Sequence, residues 1–144
     1  MPFVFEKLDV YQLSLAWVAQ ATQIAAALKR TDLSPLADQL VRASTSIALN
    51  IAEGNGRWHK GDKKQFLWIA RGSVFECVAI AQATKQHRAI TPETYYNAYA
   101  ALESLSKMLT KLIQAVDSLR DGKQRDPSRT EAISRPHHPL ESEG

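Results

Sequence analysis

The chain has 144 residues, 44% of them apolar, and a formal net charge of +3. That length suits one domain with one core and rarely holds two. A single cysteine, Cys77, excludes an internal disulfide, and only six glycines and six prolines leave long stretches unbroken, which reads as helical.

The first helix is expected to open at Asp9. Asp9-Val10-Tyr11-Gln12 has the pattern of a capping box, with Leu8 and Leu13 placed for a hydrophobic staple. Apolar residues recur at positions 11, 15, 18, 21/22, 25 and 28, and Lys29-Arg30 suit the negative end of the helix dipole. Val10–Leu28 carries no charge over nineteen residues, a length that raises the question of a membrane span. Gln12, Ser14, Gln20, Thr22 and Gln23 interrupt it, and its alanines keep it only mildly apolar, so no span is expected. Met1–Lys7 leads straight into the periodic pattern, without a basic then apolar leader. With the single cysteine, this points to a reducing, cytoplasmic setting.

The second helix is expected to start at Ser34-Pro35, with Ser at N-cap and Pro at N1, and to end at a C′ glycine, Gly54 or Gly56. Its stripe is Leu36, Leu40, Ala43, Ile47 and Ile51. The third opens on a second capping-box pattern, Asp62-Lys63-Lys64-Gln65, with a core stripe of Phe66, Ile69/Ala70, Ser73, Cys77, Ile80 and Thr84. The fourth opens with Thr91-Pro92-Glu93 and runs along Tyr95, Tyr99, Leu102, Leu105, Leu109, Leu112, Val116 and Leu119. Glu103, Lys107 and Lys111 mark its solvated face. Long helices with short loops predict an all-α, antiparallel up-down-up-down four-helix bundle over residues 1–120. Residues 121–144 hold three prolines, four basic and five acidic residues and almost no apolar ones, so a disordered C-terminal tail is expected.

Two helices look too apolar for a monomer. Helix one shows no charge between Asp9 and Lys29, and helix three carries Trp68, Val74, Phe75 and Val78 outside its stripe. A bundle helix facing water on one side shows a broad charged face, so self-association is expected.

The most distinctive stretch runs from Gln39 to Glu76. It reads Gln39-Leu-Val-Arg-Ala-Ser-Thr-Ser-Ile-Ala-Leu-Asn-Ile-Ala-Glu-Gly, then Gly56-Arg57, then Phe66-Leu-Trp-Ile-Ala-Arg-Gly-Ser-Val-Phe-Glu76. With the opening Phe5-Glu-Lys-Leu-Asp-Val-Tyr, it resembles the bacterial four-helix-bundle family encoded by intervening sequences in 23S ribosomal RNA genes (S23-type), over roughly residues 3–119. The resemblance implies a ring-shaped homopentamer and no enzymatic activity. A distant relative of that family is the accessory variability determinant of diversity-generating retroelements, a basic pentamer that partners a reverse transcriptase and nucleic acid. A reverse transcriptase and RNA or DNA are therefore partners that the resemblance suggests.

The motif residues also have a packing interpretation. If helices two and three are antiparallel about a turn near residues 57–61, Arg42 lies near Glu76 and Ser46 near Gly72. Arg42–Glu76 is then expected as an interhelix ion pair, and Gly72 as a point of close helix approach or of contact with another subunit. Asn50 is expected to fix register by a hydrogen bond, and Glu53 to pair with Arg57 at i,i+4 spacing. The functional interpretation rests on another set. Residues 42–71 hold six basic and two acidic side chains, a net of +4, while the rest of the chain sums to −1. Arg57, Trp58, His59, Lys60, Lys63 and Lys64 cluster at one end, and Lys64, Trp68, Arg71 and Phe75 follow as a helical line. Cations bind phosphates and aromatic faces stack on bases, so Arg57, Lys60, Lys63, Lys64 and Arg71 are the candidate nucleic-acid contacts. The alternative is a solvated loop beside an interface built on Trp68 and Phe75, in a scaffold whose partner is a protein. Catalysis is not expected. There is no Glu-x-x-His, no Cys/His spacing for zinc, no phosphate loop after a strand, and Cys77 falls on an apolar stripe. No metal or cofactor is expected.

Overall fold

In the computed structural model, residues 2–119 are described; the expected tail at 121–144 lies outside them. A 3-10 turn at Val4–Lys7 leads into four helices: α1 (Asp9–Leu28), α2 (Ser34–Asn55), α3 (Lys60–Gln86) and α4 (Pro92–Asp117). Among the described residues there is no strand. Each helix packs on its neighbour in sequence, and α1 meets α4 to close the bundle, although this last seam is the least extensive. The all-α, antiparallel four-helix bundle is as the sequence predicts.

The core is filled by Trp17 and Leu28 of α1, Leu40, Ile47 and Ile51 of α2, Val74 and Cys77 of α3, and Leu102, Leu105 and Leu109 of α4, each fully or almost fully buried. The stripe of α2 stands as expected from Leu40 onward. α3 and α4 keep most of the expected stripe, and α1 turns by one residue in its first half. In α1 the buried line is Val10, Ser14, Trp17, Ala21, Ile24, Ala25 and Leu28, so positions 21, 25 and 28 stand as expected while Leu15 faces out. In α3 Ala70, Ser73, Cys77, Ile80 and Thr84 are buried as expected; Leu67, Val74 and Ala81 join them, while Ile69 is exposed and Phe66 only half-buried. In α4 Ile113 replaces Leu112, and Tyr99 and Leu119 are exposed. Helices apolar on more than one side leave periodicity without a unique phase.

The helix ends also depart from the expected caps. α1 begins at Asp9 with Leu8 at N-cap, and Gln12 reaches back to donate to the Glu6 carbonyl at 2.9 Å. α2 begins at Ser34 after Leu33, and α3 at Lys60 after His59, so Asp62 lies within the first turn rather than capping it. α2 ends at Gly56 in a right-handed conformation, without a left-handed glycine. Only the α4 start is as predicted: the Thr91 hydroxyl accepts from the Thr94 N–H at 3.0 Å, and Pro92 follows. The nineteen-residue uncharged stretch in α1 is not the most membrane-like helix. Among the described residues α3 is the one helix long and apolar enough to cross a membrane, with a window of mean hydropathy 1.3 that is 39% buried in the bundle.

Candidate functional site

One polar string runs through the core. The Trp17 indole N–H donates to Ser44 Oγ at 2.8 Å, and Ser44 Oγ lies 3.4 Å from Cys77 Sγ, joining α1, α2 and α3. A buried indole N–H needs such a partner. Nothing in apolar periodicity marks Trp17 or Ser44, and the signal available was a tryptophan and a serine, both polar-tipped, at core phase. Burial pushes the Cys77 thiol up, so it is a poor nucleophile. Among the described residues no group of His, Cys, Asp and Glu converges to hold a metal ion.

The basic end of the bundle is largely turned to structural work. Lys60 Nζ donates to the carbonyls of Asp117 and Leu119, at 3.2 and 3.1 Å. Lys63 Nζ donates to the Asn55 carbonyl at 3.0 Å, and burial pushes its ammonium down. Lys64 is buried and bonds the Asp117 carboxylate at 2.7 Å; that bond, and then the Lys64 charge, hold the Asp117 carboxyl below the usual carboxylate range. These ammonium groups gather the C-terminal ends of α2 and α4 onto the start of α3, where helix dipoles favour cations. Arg57 pairs with Glu53 at 2.9 Å, as expected, and lies 4.5 Å from the Phe66 ring centroid. The five cationic candidates are thus brought to α3 and its N-terminal approach, but Lys64 is not on the surface.

Further along α3, Arg71 lies between two exposed rings, 5.3 Å from Trp68 and 4.7 Å from Phe75, and its Nε donates to the Thr110 hydroxyl at 3.0 Å. A guanidinium over aromatic faces is attracted by the ring quadrupole. Trp58 is exposed in the α2–α3 loop.

Three packing expectations are corrected. Arg42 and Glu76 are both exposed and, among the described residues, form no ion pair. Long side chains on a solvated seam gain little from pairing. Gly72 has open space where a Cβ would stand; the close approach is at Gly54, whose Cβ would meet Phe66 Cβ at 3.0 Å and the Lys63 carbonyl at 3.2 Å. Asn50 bonds within its own helix, to the carbonyl and hydroxyl of Ser46 at 2.8 and 3.0 Å. The crossing to α3 is made by the hydroxyls of Ser46 and Ser73, 2.9 Å apart, one residue from the expected facing position.

The outer surface of α3 is apolar on both sides. Ile69 (45% exposed) and Leu49 of α2 (67%) lie beside the α2–α3 seam, whereas Trp68 (42%) and Phe75 (50%) flank Arg71 on the α4 side. The Ser46–Ser73 contact sets Leu49 and Ile69 one turn further along neighbouring helices, with open Gly72 beside them.

Known proteins share this architecture. The family model described as "23S rRNA-intervening sequence protein" matches residues 6–111. A crystal structure of a protein of unknown function from the S23 ribosomal protein family of Bacteroides thetaiotaomicron superposes with a TM-score of 0.69 at 23% identity, covering 73% of this chain and 98% of that one. That likeness shows the shared fold. No curated protein matches the chain.

Proposed function

The chain belongs to the family of 23S rRNA-intervening sequence proteins, and we propose that it acts without catalysis, as a self-assembling helical module that offers its partners a multivalent surface. The observation that carries this is α3. It holds an 18-residue window of mean hydropathy 1.3, yet only 39% of that window is buried within one protomer. Leu49 and Ile69 extend the uncovered area onto α2, and Trp68 and Phe75 extend it toward α4. Burying each large apolar side chain is worth about 1.5–3 kcal/mol, so a face of this size favours association. A second copy is the natural cover, because symmetric self-association is the common fate of such a face. The family resemblance makes a closed ring of five the expected count, and a ring repeats every surface site around its rim.

Light scattering on the purified chain tests this. A mass near five protomers is expected, falling to one protomer in Phe75→Asp with the helical circular dichroism unchanged. A monomeric wild-type particle overturns the assembly.

A second interpretation gives the module nucleic acid as its partner. It is favoured by Arg71 between the exposed rings of Trp68 and Phe75, within a segment of net charge +4. The guanidinium meets phosphate and the rings stack on unpaired bases. Trp68 and Phe75 cannot serve both partners at once, so titration of labelled single-stranded RNA at two salt concentrations separates the two. Salt-sensitive binding lost in Arg71→Gln supports the nucleic-acid interpretation. Salt-independent or absent binding leaves the face to the second copy, or to a protein partner such as a reverse transcriptase.

A further inference from the structure

The weakest seam of the bundle, between α1 and α4, opens at one end into a groove of about 770 Å³. It lies at the opposite end from the Lys60–Lys64 cluster, between the last turns of α1, the α3–α4 loop and the first turns of α4. Its size is that of a small-molecule site.

The lining has a specific chemistry. Two cations, Lys85 and Arg88, border it, and among the described residues no carboxylate does. Gln20 and Gln23 from α1 and Asn97 from α4 supply primary amides over a floor that includes Ile24. Amide side chains match the paired donor and acceptor atoms of a base edge, and cations match phosphate. Lys85 is steadied by the rings of Tyr95 and Tyr96, 4.7 and 5.3 Å from its ammonium. The N-terminus of α4 at Thr91-Pro92 adds the positive pole of a 26-residue helix to the same rim.

The backbone at Arg88 points the same way. Arg88 holds φ 60°, the only non-glycine residue with positive φ among the described ones. Its N–H bonds the Lys85 carbonyl at 2.9 Å, and the Ala89 N–H bonds the Thr84 carbonyl at 2.8 Å. This is a Schellman end, at whose left-handed position glycine is the favoured residue. An arginine there strains the backbone beside the groove that Arg88 lines, and strain of that kind accumulates at ligand sites.

We propose that this groove binds a nucleoside phosphate, free or at the 5′ end of a single-stranded RNA, with Lys85 and Arg88 on the phosphate and Gln20, Gln23 and Asn97 on the base. The site is separate from the α2–α3 face, so its fate and that of the assembly are read independently.

Calorimetry on the full chain with 5′-AMP, adenosine and a 5′-phosphorylated hexauridylate tests it. Saturable binding of at least one phosphate probe is expected, with adenosine weaker by about tenfold or more, since charge-assisted bonds to phosphate dominate. AMP binding identifies the free nucleotide as the ligand, and binding of the oligonucleotide alone identifies the RNA end. Arg88→Gly separates site from fold. It relieves the backbone, so its melting temperature rises while phosphate affinity falls about tenfold. Lys85→Gln is expected to weaken binding in the same sense, with particle mass unchanged in both variants. No saturable binding of either phosphate probe, or binding indifferent to both substitutions, overturns the proposal.

Discussion

Gly54, and not Gly72, is the glycine of close helix approach, and this fixes opposite signs for the same substitution at the two positions. A methyl at Gly54 meets Phe66 Cβ and the Lys63 carbonyl oxygen, and the latter is backbone that cannot swing aside. Gly54→Ala is therefore expected to lower stability, because overpacking of about 1–3 kcal/mol outweighs the gain in helix propensity. A methyl at Gly72 meets nothing. Gly72→Ala is expected to raise protomer stability by about 1 kcal/mol, since mid-helix glycine is disfavoured by that amount. Thermal melts at one protein concentration check both, and equal shifts of the same sign refute the packing argument. Ser44 offers a third residue-scale test. Ser44→Ala removes the acceptor of the buried Trp17 N–H and is expected to cost about 1–3 kcal/mol. Urea unfolding measures this, and a loss under about 0.5 kcal/mol, the bottom of the range for an ordinary net hydrogen bond, means the indole is satisfied elsewhere.

At the scale of the element, the C-terminus of α4 is held by Lys60 and Lys64 from α3. The Asp117 carboxyl is depressed below its ordinary range by the Lys64 hydrogen bond first and the Lys64 charge second. A carboxyl depressed in the folded state adds stability at pH above its unfolded value of about 4. That stability is lost as pH falls through the lower folded value. Asp117→Asn is expected to flatten the acid side of the melting profile below about pH 4 while leaving its neutral plateau lower. Parallel wild-type and variant profiles between pH 7 and pH 2.5 refute the linkage. The same end of the bundle shows what a sequence can and cannot reveal. Helix number, order and approximate bounds follow from breaker spacing and the 3-4 period, because these are local. The phase of α2, of α4 and of most of α3 follows too, but that of the first half of α1 does not. Leu15 is as apolar as the residues that take the core in its place, and only the neighbouring helices decide. Glu53–Arg57 was legible because the two partners lie four residues apart across the end of α2. The engagement of Lys60, Lys63 and Lys64 was not, since carbonyls of another helix carry no signature in side-chain spacing.

Across the whole molecule, charge and exposure separate two kinds of cation within one basic segment. Lys60, Lys63 and Lys64 hold helix ends together, whereas Arg57 and Arg71 lie against aromatic rings, with Arg57's guanidinium shared with Glu53. The lysines therefore belong to the fold and the arginines to the surface, and paired neutralisation distinguishes them. Lys60→Gln with Lys63→Gln is expected to lower the melting temperature and leave any affinity for single-stranded RNA near its wild-type value. Arg57→Gln with Arg71→Gln is expected to do the reverse. Removing one cation that meets a phosphate reduces the slope of log affinity against log salt by about 1, so the arginine variant is expected to flatten it by about 2 per site. RNA titrations across a salt series, beside melts of the same preparations, give both readouts. If the lysine variant loses RNA affinity at unchanged melting temperature, the ammonium groups face phosphate rather than carbonyl in solution, and the basic end itself is the nucleic-acid interface.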